Sequence, residues 1–113
     1  MVIHNKTKLV ELKRKNQGNK RLLRAVDQFI EDLENGSIMS TDELVEVRRD
    51  ADRVHSRGFY FFDLHIHRTL VFIQLSANKA TVIWAGTHQE YLKTFKNNTN
   101  TIEKWLRTRN FLN

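Results

Sequence analysis

The chain has 113 residues, a net charge of +6, no cysteine and no proline. That length suits one domain with a modest core, and the missing thiols exclude a disulfide framework, a thiol nucleophile and thiolate metal sites. No apolar run approaches the ~18 residues of a membrane span, and the N-terminus lacks the apolar stretch of a signal peptide. The expectation is a cytoplasmic protein with no membrane partner.

The first predicted element is a short strand at Val2-Ile3-His4, followed by a basic helix from a cap at Asn5 to about Asn16, with Leu9, Val10 and Leu12 as its apolar stripe. Gly18-Asn19 breaks it. Leu22, Leu23, Val26, Phe29, Ile30 and Leu33 then recur at helical spacing, and Asn35-Gly36 closes that helix. Ser40 and Glu43 stand three apart, as in a capping box, and begin a shorter helix toward Arg49.

From Gly58 the pattern turns aromatic and β-branched. Gly58–Leu64, Arg68–Leu75 and Ala80–Ala85 read as strands, with connections short enough to make antiparallel hairpins. Phe59, Phe61, Phe72 and Trp84 alternate along them and read as core. Thr87 and Glu90 form a second capping-box pair, opening a helix from His88 to about Phe95. Asn100 with Glu103 starts a last helix carrying Ile102, Trp105 and Leu106. The expected fold class is α+β, with helices on one face of a small antiparallel sheet. Residues 1–113 read as a single domain, of which 96–113 form a basic helical extension.

The charge is unevenly placed. Residues 1–24 carry lysines and arginines against the single acid Glu11, residues 93–109 carry five cations against Glu103, and Asp27 to Asp52 is mostly acidic. Basic ends around an acidic middle suit a polyanionic partner such as nucleic acid. An ordinary solvated helix surface explains them equally well.

The segment Gly86-Thr87-His88-Gln89-Glu90-Tyr91 carries the chemistry. His88 is the first helical residue and Tyr91 lies three further on, so both share a face beside the strand end. With Val2-Ile3-His4-Asn5-Lys6, Phe61-Phe62-Asp63 before a hairpin and Arg68 opening the next strand, this ending resembles the HigB branch of the RelE/ParE toxin superfamily. The likeness runs over most of residues 1–95. The hairpin around His65 reads as shorter than in the family, and the tail from Lys96 extends past the part that matches.

The resemblance implies a RelE-like fold and ribosome-dependent cleavage of messenger RNA. It also implies silencing by a cognate antitoxin, for which a small helix-turn-helix protein is expected. It implies no cofactor. Superfamily relatives of the ParE type poison gyrase, so a non-catalytic module that grips protein or nucleic acid is the alternative.

Metal-free RNA cleavage needs a proton carrier, a cation for the charged phosphorane and oriented backbone. His88 is the candidate general base or acid; its structural alternative is a histidine of the capping region. Arg68, at the family's matching position, is the candidate phosphate clamp, since guanidinium donates in a planar fork; a salt bridge with Asp63 or Glu90 is the alternative. Tyr91 either stacks on a base or contacts the phosphate, or closes the helix onto the sheet. Lys93 is expected to add long-range attraction to RNA. His65 and His67 are read as sharing one strand face, and with His55 and Arg57 they are candidates for RNA contact. Three histidines invite a zinc reading, but their spacing matches no ligand motif, and no metal is expected.

Overall fold

The computed structural model describes residues 1–112. Its centre is a five-stranded sheet in the order β1-β5-β4-β3-β2, made of β1 (Val2–His4), β2 (Asp52–His55), β3 (Phe59–Leu64), β4 (His67–Gln74) and β5 (Lys79–Thr87). Four strands pair antiparallel. The fifth departs from the sequence expectation: β1 lies parallel to β5, so the sheet is mixed. A parallel pair needs a long crossover, which here is the whole stretch from Asn5 to Asn78.

The helices are α1 (Thr7–Lys15), α2 (Lys20–Asn35), α3 (Thr41–Val47), α4 (His88–Phe95) and α5 (Thr99–Thr108). They cover both faces of the sheet rather than one. Because side chains alternate along a strand, Tyr60, Phe62 and Leu64 of β3 join Leu9, Leu22, Val26, Phe29 and Leu33 in one core. Phe59 and Phe61 point the other way, to Tyr91 and Phe95 of α4 and Ile102 and Leu106 of α5. Nearly every residue of β3 is buried, and such a strand needs cover on both faces. Phe95 sits edge-on to Phe61, Trp84 and Trp105 at 5.1 Å between centroids in each case, and Leu112 is buried with them. The basic C-terminal segment thus packs on the sheet through its apolar stripe.

Several local expectations shift. Asn5 does not cap α1: its backbone is left-handed at φ 64°, and its side chain donates to the Val82 carbonyl at 3.1 Å. Asn98, not Asn100, caps α5, accepting from the amides of Asn100 and Thr101. The Ser40 box is half formed, since Ser40 Oγ accepts from the Glu43 amide while Glu43 accepts from Met39 instead. The edge strand β2 has two exposed charged residues at its start, which hid it from the hydrophobic pattern.

A half-buried arginine fixes the far end of β3. Arg48 donates to Asp32 at 3.2 Å, to Asp50 at 2.7 Å and to the Asp63 carbonyl at 3.0 Å. Asp50 in turn accepts from the Asp63 amide at 2.7 Å. Both backbone groups of Asp63 are therefore held from outside the sheet.

Candidate active site at the hairpin tip

Strands β3 and β4 are joined by the two residues His65 and Ile66, with Leu64 opposite His67 and Asp63 opposite Arg68. His65 adopts φ 59°, a left-handed backbone that histidine tolerates better than a β-branched residue does. Beside this tip lies Gly86, the last residue but one of β5, where a Cβ would meet the Trp84 ring at 2.7 Å. Chain direction then changes through a complete capping box. Thr87 Oγ accepts from the Glu90 amide at 3.0 Å, and Glu90 Oε1 accepts from the Thr87 amide at 2.8 Å. The first helical amide, that of His88, donates to the Ile66 carbonyl at 3.0 Å. Hairpin tip and helix start are bonded to one another.

His88 is exposed, and its ring stacks on Tyr91 at 5.6 Å and 25°. Tyr91 is only 2% exposed, edge-on to Phe61 at 4.9 Å, and its hydroxyl donates to Asn97 at 2.8 Å. No ring face remains for a nucleobase, so the stacking role is corrected: Tyr91 carries other side chains. Chief among them is Arg68, whose guanidinium carbon lies 4.6 Å from the Tyr91 ring and 5.0 Å from that of Phe61. Arg68 Nε donates to Asp63 at 3.1 Å and Nη2 to Asp52 at 3.4 Å, leaving Nη1 without a partner among the described residues. Of the two anticipated ion-pair partners, Asp63 is present and Glu90 is not. Both carboxylates are more than half exposed while Arg68 is 14% exposed. The cation is held from its solvent side.

His65 and His67 do not share an environment. His65 is an exposed turn residue, whereas His67 belongs to β4, opposite Thr87, and is 4% exposed. Burial pushes the His67 imidazole below its ordinary 6.5, with the Glu90 carboxylate opposing and His65 adding to the shift. Its Nδ1 has no hydrogen-bond partner among the described residues. Hydrogen bonds to Thr87 hold the Glu90 carboxyl below its usual value.

A shallow depression of about 270 Å³ opens here, lined by Asp63, His65, Ile66, His67, Arg68 and His88. Thus the fold gathers four predicted residues, His65, His67, Arg68 and His88, around one concavity, with Tyr91 beneath two of them. Three others lie elsewhere. His55 faces α5, with Nε2 3.7 Å from Glu103 and Nδ1 accepting from the Arg57 amide. Arg57 is an exposed turn residue at the opposite end of β3, roughly 17 Å along the strand. The length of β3 thus separates these two candidates for RNA contact from the depression. Lys93 is exposed on α4 and does not line the depression. Ile66, Asp63 and Asp52 complete the site. An apolar residue at a polar hairpin tip was the available signal for Ile66, and only strand register reveals the two aspartates as partners of Arg68. Among the described residues, no group of three or more His, Cys, Asp or Glu side chains is arranged to hold a metal ion, and no helix is long and apolar enough to cross a membrane.

A mixed sheet clasped between two helix layers, with a histidine at a capped helix start beside an arginine-bearing hairpin, defines a small RelE-like α+β protein. The family model HigB_toxin, described as the RelE-like toxic component of a toxin-antitoxin system, matches residues 23–94. The match covers well over half of the sequence, and the chain belongs to that family. No curated protein matches the sequence. The matched span includes Arg68, His88 and Tyr91 and stops just before the C-terminal segment that begins at Lys96. As the toxic component of such a system, the protein has an antitoxin as its partner.

Proposed function

We propose that this protein is an endoribonuclease that cuts messenger RNA held in a translating ribosome, with His88 and Arg68 as its catalytic residues. The observation that carries the reading is the bond from the His88 amide to the Ile66 carbonyl. It ties an exposed imidazole to a hairpin whose next strand bears a fixed guanidinium.

In metal-free cleavage the ribose 2′-hydroxyl loses its proton and its oxygen attacks phosphorus. The bond to the 5′-oxygen then breaks, and that oxygen takes up a proton. The products are a 2′,3′-cyclic phosphate and a 5′-hydroxyl. His88, exposed at the rim, carries one of these two protons. Arg68 supplies positive charge to the phosphorane through its unpartnered Nη1, and the pair Asp63 and Asp52 with the Tyr91 ring keep the guanidinium in place before substrate arrives. Preorganised donors of this kind stabilise developing charge without reorganising. A ribosome that already orients the RNA leaves the enzyme few groups to provide. The family's antitoxin partner, a small helix-turn-helix protein in this reading, silences the activity.

The test is primer extension on a defined mRNA in a cell-free translation reaction. New 5′-ends at codon-related positions, dependent on both ribosomes and wild-type protein, support the reading. Translation arrest without new ends would replace it with a non-catalytic binding module.

A further inference from the structure

Proton transfer and phosphate neutralisation leave one part of the depression unused, the hairpin tip itself. Ile66 is 57% exposed at its rim. A lone exposed isoleucine is ordinary, but the surroundings of this one are not. Its carbonyl is fixed by His88, His65 precedes it, and the buried imidazole of His67 lies against the same concavity. Burial disfavours the charged form of that imidazole. The single guanidinium at the edge is already drawn toward Asp63 and Asp52. Such a lining does not suit a second phosphate. The sec-butyl group of Ile66 with the imidazoles of His65 and His67 in the same lining suits a flat, uncharged ring.

On the reading of this site as RNA-cutting, we propose that the depression takes one unstacked nucleobase of the substrate, between Ile66 and the His65 ring and next to His88. Single-stranded RNA is recognised by splaying bases onto such surfaces and reading their edges. Asp63 does the reading. Its side chain is 58% exposed with one oxygen on Arg68 Nε, and a carboxylate accepts from an exocyclic amino group such as cytosine N4. Uracil presents a carbonyl oxygen at that position, which a carboxylate repels. The slot therefore favours amino-bearing bases over uracil.

The test titrates the full chain with cytidine 3′-monophosphate and uridine 3′-monophosphate, following the Ile66 methyl and His65 ring signals by NMR. The expected result is that cytidylate shifts both signals with a Kd about tenfold below that of uridylate, the discrimination of one charged hydrogen bond. Asp63→Asn erases the difference and Ile66→Ala weakens both nucleotides, with recovery in Ile66→Leu. Equal affinity of the wild type for the two nucleotides, or shifts that bypass Ile66 and His65, would overturn the proposal. The readout does not depend on cleavage. A protein that binds cytidylate at Ile66 yet never cuts RNA retains the slot and loses the nuclease, and one that cuts without binding a base there loses only the slot.

Discussion

The Arg68 guanidinium carbon lies 4.6 Å from the Tyr91 ring, and His88 stacks on that same ring at 5.6 Å. One buried tyrosine thus sets the positions of the cation and the proton carrier. Its hydroxyl is spent on Asn97 at 2.8 Å, so ring and hydroxyl are separable by mutation. Tyr91→Phe keeps the ring and loses one hydrogen bond, costing about 0.5–1.5 kcal/mol of stability with cleavage within a few-fold of wild type. Tyr91→Ala removes the support and costs about 3–5 kcal/mol. Denaturation midpoints measured beside cleavage rates check this, and a severe activity loss in Tyr91→Phe would return the hydroxyl to the chemistry.

His88 is exposed, so its removal leaves packing almost untouched. His88→Ala lowers cleavage by about 10²–10⁴-fold, the span of one general acid–base contribution, at unchanged melting temperature. Arg68→Lys keeps the charge but loses the planar fork, and falls by about 10²-fold or more. Asp63 and Asp52 are more than half exposed and tolerate the loss of their partner. Single-turnover rates of the two variants, beside their melting curves, decide the matter.

Thr87 links the fold to the site. Its side chain and that of Glu90 satisfy the amides that place His88 at the first turn. Thr87→Ala removes the cap and costs about 1 kcal/mol, a fall of several degrees in melting temperature for a domain of this size. Cleavage falls further than the population of unfolded protein explains, because the helix start no longer holds its angle to the hairpin. Parallel loss of folded fraction and activity would contradict that coupling.

His67 gives stability a pH dependence. Burial sets its folded pKa below the ordinary 6.5, so the unfolded chain takes up the proton first. The stability associated with the neutral imidazole is complete above 6.5 and is lost as pH falls from there toward the folded value. Glu90 on α4 opposes the shift and His65 in the turn adds to it. In urea titrations, wild type weakens over that window and His67→Leu shows a flatter profile. Parallel profiles would exclude His67 as the source.

The elements whose signals are local were legible in the sequence. Helix α2 has its apolar stripe, the Thr87 and Glu90 pair forms the box its spacing predicts, and the three central strands fall on their aromatic and β-branched runs. What was not legible depends on contacts between distant segments. Asn5 is drawn into a left-handed turn by the Val82 carbonyl, β1 chooses a parallel partner more than seventy residues away, and β2 is a charged edge strand. The same holds for the site. His88 and Arg68 carry recognisable chemistry, but register alone puts Asp63 opposite Arg68, and only the assembled sheet separates buried His67 from exposed His65 and carries His55 to the other end.

The central claim is that His88 drives RNA cleavage inside a translating ribosome. Its most direct test is the cutting of a ribosome-bound mRNA by purified wild type and His88→Ala, with the chemistry of the new ends determined. The account predicts 2′,3′-cyclic phosphate and 5′-hydroxyl ends from wild type on engaged ribosomes, and a loss of at least about 10²-fold with folded His88→Ala. Undiminished cutting by the variant, or ends bearing a 5′-phosphate, would contradict it.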